Sequence, residues 1–127
     1  MTQADKELLL KDLCARLDTN LVCSIYRTDD EGVGYRDEIL HGYCKGDIWY
    51  EFYFREDCSI SIDNVSKIKP YLFPLSSITK KRLEELSEYI DIKNAYVAVE
   101  FFNSHHIDYR GLIEKGLAID ATGLNIY

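Results

Sequence analysis

The stretch FFNSHHIDYRGLI, residues 101–113, sets two imidazoles, a carboxylate, a phenol and a guanidinium almost side by side. Such groups can bind a metal, run acid–base chemistry, or hold two pieces of chain together. A first-row metal wants three or four ligands converging from one side. On a helix, the adjacent His105 and His106 point about 100° apart, whereas two-histidine helical sites use positions i and i+4. His41 falls in an expected strand, and nothing in the spacing brings it to the pair. No metal or cofactor is expected. Catalysis by a nucleophile needs a base and an orienting group beside it. No serine or cysteine stands in a nucleophile-elbow context, and no glycine-rich phosphate loop is present. Glu84 and Glu85 read as a solvated helix face. No catalytic residue is assigned, and the chain is expected not to be an enzyme.

A rigid joint between two helices fits the motif better. His106 then lies on the core face beside Phe102, and Asp108 caps a short final helix beginning at Tyr109. Gly111 sits where close backbone approach leaves no room for a side chain. Tyr109 anchors the corner, and Arg110 pairs with an acid. If His105, Tyr109 and Arg110 are instead exposed there, they form a partner surface, since such residues are typical interface anchors.

The elements that must position this motif follow from periodicity. Residues 3–17 predict an amphipathic helix capped by Thr2 with Asp5 three places on. Leu9, Leu10, Leu13, Cys14 and Leu17 fall within about 140° of one face. From Leu21 to Phe73 the period becomes two, giving LVCSIYR, DEILHGYC, IWYEFYFR and CSISI as strands. In the third of these, Ile48, Tyr50, Phe52 and Phe54 point one way, and Trp49, Glu51, Tyr53 and Arg55 the other. Val65 to Ile68 predicts a short helical turn, and Pro70 favours extended chain before Tyr71-Leu72-Phe73. This order is that of a five-stranded barrel of the Src-homology-3 type, with an open antiparallel sheet fitting nearly as well. A helix is expected from an N-cap at Thr79, with Leu83, Leu86 and Ile90 in one stripe, and another over residues 92–106. Gly116 ends the last helix. The tail AIDATGLNIY is either docked or frayed.

A chain of 127 residues is one domain, 1–127, large enough for a single core. The expected class is α+β: helix 3–17, barrel or sheet 21–73, and a helical part 79–127 with two to three helices. Twenty-two acids against 15 bases give a net charge of −7, which opposes phosphate backbones. Lys80, Lys81 and Arg82 are the exception: at a helix start they would suit an anion. Four cysteines without a C-x-x-C pair, and a polar, acidic MTQADKE start, point to reduced thiols in the cytoplasm. No apolar run approaches the roughly 18 residues that span a bilayer. Trp49 and Tyr53 are the aromatic candidates for a protein-binding face, unless a helix covers them.

KPYLFPLSSIT at 69–79 and FNSHHIDYRGLIEKGLAID at 102–120 resemble segments of a family of short proteins of gut anaerobic bacteria and their prophages. LLLKDLCARL at 8–17 is similar to the helix with which its members open. The resemblance implies a phage or mobile-element setting and a helix ending at His105-His106, but no activity and no site residue. Phe73 departs from the arginine common there, and Lys80-Lys81-Arg82 from acids. The function expected from all of this is a non-enzymatic protein-interaction or regulatory module. The alternative is a nucleic-acid-associated regulator working through Lys80, Lys81 and Arg82, with a small metal-dependent enzyme further off.

Overall fold

A computed structural model of the chain describes residues 1–29, 32–78 and 95–127. Helix α1 spans Gln3–Ala15. The Thr2 hydroxyl accepts from the Asp5 amide and the Asp5 carboxylate accepts from the Thr2 amide, both at 3.1 Å, a complete capping box. The helix ends at Ala15, two residues short of the expected Leu17, with Arg16 as its cap. Asn20, in the left-handed region at φ 55°, turns the chain into the sheet.

Strands β1 (Val22–Asp29) and β2 (Gly32–Lys45) form a long antiparallel hairpin from Val22↔Ile39 to Asp29↔Gly32. A register shift between Leu40 and Gly42 hands β2 from β1 to β3, which spans Tyr50–Phe54. β4 (Ile60–Ile62) pairs with β3, and a 3-10 turn at Val65–Lys67 leads into β5, Ile68–Pro74. Asn64 caps that turn by accepting from the Ser66 amide at 3.0 Å. β5 returns antiparallel to β1 over Cys23–Ile25. Helix α2 covers Ala95–Ser104. Two short strands then lie along the other edge of β5, both parallel to it: β6 (Ile107–Asp108) on Phe73–Pro74 and β7 (Ile119–Asp120) on Tyr71–Leu72.

Among the described residues the fold is therefore α+β with an N-terminal helix and an open, mixed sheet of seven strands, in the order β4-β3-β2-β1-β5-β6 with β7 also on β5. Leu9 and Leu13 of α1 meet Leu21, Cys23, Ile25, Leu40, Phe52, Phe54, Ile60, Ile68 and Leu72 in one core, to which Leu112 and Leu117 are added from the C-terminal part. Burial alternates along β4 and the first half of β5, as period-two reading requires.

Several expectations are corrected. The sheet does not close into a barrel, and it is not purely antiparallel: the C-terminal part adds two strands where only helix was expected. Two-residue strands carry no period, so nothing local could announce them. Residues 112–116 form a turn, not a final helix from Tyr109. Ile48 and Trp49 lie in the β2–β3 turn rather than in β3, and Ile48 is 98% exposed instead of core-facing. Cys58 leaves the strand face at φ 55° and is exposed. The helix expected from Thr79, with Leu83, Glu84, Glu85, Leu86 and Ile90, lies outside the described residues.

Candidate functional site

The corner around residues 102–113 is built on a feature of α1 that the apolar stripe concealed. Asp12 and Arg16 sit one turn apart beside the stripe of Leu9 and Leu13, and both are completely buried. Arg16 donates Nε and Nη2 to the two Asp12 oxygens at 2.9 and 3.2 Å. Its Nη2 also donates to the Ile107 carbonyl at 2.6 Å, and its Nη1 to the Phe102 carbonyl at 3.3 Å. One guanidinium thus joins α1 to the last turn of α2 and to β6. Asp12 accepts a further bond from Arg110 Nη1 at 2.7 Å. The Tyr109 ring lies under both cations, 4.5 Å from the Arg110 Cζ and 5.3 Å from that of Arg16. Its hydroxyl donates to Asn103 Oδ1 at 2.9 Å.

Asp108 is buried and accepts from the amides of Leu112 and Ile113, each at 2.9 Å. The carboxylate therefore captures main-chain donors as expected, though those of a turn instead of a helix. Gly111 is needed for its backbone: φ is +74°, and a Cβ there would meet nothing within 4 Å. The close approach expected at this glycine is absent.

The two histidines diverge. His105 is exposed, stacks on Phe101 at 4.1 Å, and holds Nδ1 3.0 Å from the Phe101 carbonyl and 3.1 Å from Ser104 Oγ. His106 is 8% exposed and adopts φ 58°, the left-handed step that ends α2, although it is not glycine. Its carbonyl accepts from the Phe73 amide at 2.8 Å, and its ring stacks on Tyr127 at 3.8 Å and 12°. Its Nδ1 is buried with no hydrogen-bond partner among the described residues. Burial holds the imidazole down at about 4, with the Arg16 charge and the neighbouring His105 adding to the effect. Tyr127 ties down the tail: its hydroxyl accepts from the Val22 amide at 3.0 Å and donates to the Tyr71 carbonyl at 2.8 Å. Burial raises the Tyr127 phenol, which stays protonated. The tail is docked.

This arrangement is poor in reactive groups. No cluster of three or more His, Cys, Asp or Glu fit to hold a metal occurs among the described residues. His41 stands exposed on β2, in a depression with Glu38 and Arg55. Burial pushes up the thiols of Cys14 and Cys23, leaving them protonated. An open cleft of about 550 Å³ beside the histidines is walled mainly by Phe73, Ile78, Phe101 and Tyr127.

The expected partner surface is not one surface. Tyr109 and Arg110 turn toward Asp12 and Arg16, while His105 remains at the cleft. Trp49 is 50% exposed and lies against Gly46, where any side chain would collide with the indole. Tyr53 donates to Glu51 at 2.7 Å, which pushes its phenol up to about 12. Lys80, Lys81 and Arg82 lie outside the described residues. Sequence reasoning missed Asp12, Arg16, Asn103 and Tyr127. The only signal for the first two was an acid–arginine pair at i, i+4 inside a leucine stripe.

Fold and corner define a class: an α+β protein with an open mixed sheet, whose N-terminal helix is locked by a buried ionic cluster to its C-terminal part. Compared with protein-family models, curated proteins and solved structures, the chain shows no match in any of the three. Among the described residues no helix is long and apolar enough to cross a membrane.

Proposed function

We propose that the chain is a non-enzymatic protein-interaction module, with the β2–β3 turn as its contact surface. The observation that carries this is Ile48, 98% exposed beside a half-exposed Trp49. A large aliphatic group standing in water next to an indole is what an interface anchor looks like before its partner arrives. The polar groups of the histidine motif support the same reading, because Asp108, Tyr109 and Arg110 are taken up by internal bonds.

A likeness to the Src-homology-3 architecture is part of the proposal. It is supported by the run β4-β3-β2-β1-β5, by a long β2 shared between two ladders, and by a 3-10 turn between β4 and β5. Helical structure beyond α1 and α2, a cytoplasmic location and a phage or mobile-element setting belong to the proposal too, the last resting on the resemblance of residues 69–79 and 102–120.

The test is retention of a partner from the host cell by immobilised wild-type protein and by Ile48→Asp and Trp49→Ala variants. One protein retained stoichiometrically by the wild type and lost by both variants, at unchanged melting temperature, is the expected result. Equal retention by all three would remove the turn from consideration.

A further inference from the structure

The open cleft beside the histidines is one-sided in its chemistry. It holds about 550 Å³, and two stacked ring pairs help to line it: Phe101 with His105 at 4.1 Å and 22°, and His106 with Tyr127 at 3.8 Å and 12°. Phe73 and Ile78 add apolar surface, and no Lys, Arg, Asp or Glu stands among the described residues of the lining. Rings of this kind favour a flat, apolar ligand that stacks on them or meets them edge-on. A charged ligand would leave water here without a counter-charge.

The polar groups of the lining narrow the ligand further. Ser77 Oγ donates to the Pro74 carbonyl at 2.6 Å, Thr122 Oγ1 to Asp120 Oδ1 at 2.6 Å, and Ser104 Oγ to the Phe101 carbonyl at 3.1 Å. His105 Nδ1 lies 3.0 Å from that same carbonyl. A carbonyl only accepts, so the His105 proton is on Nδ1 and Nε2 keeps its lone pair. All four groups have committed their protons inside the protein and offer a ligand only lone pairs. His106, 8% exposed, also belongs to the lining, and its Nδ1 has no hydrogen-bond partner among the described residues. Acceptors left without donors call for a ligand that donates.

We infer that this cleft binds a small, uncharged aromatic molecule of the indole or phenol type, whose ring N–H or O–H donates to His105 Nε2. The rings supply the affinity, and the acceptor selects for the donor. The site shares no residue with the β2–β3 turn, so it stands or falls separately from the contact proposed there.

The experiment titrates indole, 1-methylindole and indole-3-acetate into the full chain and follows amide chemical shifts. Expected with indole are saturable shifts concentrated on residues 104–107 and 122–123. 1-Methylindole has the same rings without the donor and should bind about fivefold more weakly. The anionic indole-3-acetate should bind about tenfold more weakly than indole. His105→Phe keeps a ring against Phe101 but removes Nε2; at unchanged melting temperature it should lower the affinity for indole to that for 1-methylindole. N-acetyltryptophan amide, an uncharged tryptophan flanked by peptide bonds, should bind no better than indole; tighter binding would make the ligand a partner's side chain and sink the free small molecule. The inference is also overturned by the absence of saturable shifts, by shifts centred elsewhere, by equal affinities of indole and 1-methylindole for the wild type, by a preference for the carboxylate, or by a preference for indole that survives His105→Phe. The comparison of indole with 1-methylindole needs no variant, so it decides even where His105→Phe disturbs the fold.

Discussion

Two regions of this molecule invert the usual placement of side chains. At the corner between α1 and β6, charged groups are buried: Asp12 and Arg16 have no exposed surface, Arg110 pairs with Asp12, and Asp108 is buried where it accepts from the Leu112 amide. At the β2–β3 turn, Ile48 and Trp49 stand in water. Burying the ions carries a large desolvation cost, offset only because each nitrogen of the Arg16 fork has an acceptor. Exposing the apolar pair costs little in the folded state but gains nothing either. The first region is thus explained by the fold, and the second is what the proposed contact would explain.

The largest effect that bears on this contrast is expected at Asp12. Asp12→Ala strands Arg16 in the interior and releases Arg110, a loss of about 3–5 kcal/mol. The melting temperature should fall by more than about 10 °C. The double variant Asp12→Leu with Arg16→Met removes the stranded guanidinium of Arg16, and should be more stable than Asp12→Ala alone. Were calorimetry to find the reverse order, the cluster would contribute more than the relief of its own burial.

Acid should act on the same corner through His106. Its folded value of about 4 lies below the ordinary 6.5, so the unfolded chain binds a proton more readily. Its contribution is fully present above pH 6.5, declines as the pH falls toward 4, and is exhausted below that. The loss is on the order of 2 kcal/mol. Urea titrations of wild type and His106→Phe between pH 7 and 4 should diverge in slope; parallel curves would show that the imidazole is not held neutral.

Next in size is the pair of acceptor and stack. Asp108→Ala removes the acceptor of two amides and should cost about 2 kcal/mol, visible as a drop of several degrees in melting temperature. His106→Ala should also lower it, by losing the Tyr127 stack while keeping a left-handed backbone that disfavours alanine. His105→Ala should be thermally silent. If all three variants melt with the wild type, the corner is not a structural joint.

The smallest effects belong to the turn. Ile48→Ser should change stability by less than about 0.5 kcal/mol. Trp49 should emit at a red-shifted wavelength and be open to acrylamide. A blue-shifted, quencher-resistant indole would erase the contrast between the two regions.

Much of the scaffold was legible because its cause is local. The Thr2–Asp5 box starts α1, the leucine stripe sets its buried face, and period-two alternation gives Phe52, Phe54, Ile60 and Ile62 their direction. The candidate site was only half legible. That Asp108 would accept from amides just after it follows from its type and place; that those amides belong to a turn does not.

What the sequence alone determined, then, is the set of contacts between residues a few positions apart: caps, strand faces, the punctuation around residues 105–111. The main-chain partners of Arg16 lie 86 and 91 residues away, that of Arg110 lies 98 away, and Tyr127 reaches back 105 residues to Val22. Only the tertiary structure decided whether those groups are buried in pairs or exposed to solvent. A hydrogen-bond donor takes whatever acceptor the folded chain brings within 3 Å, and no local pattern encodes which one that is.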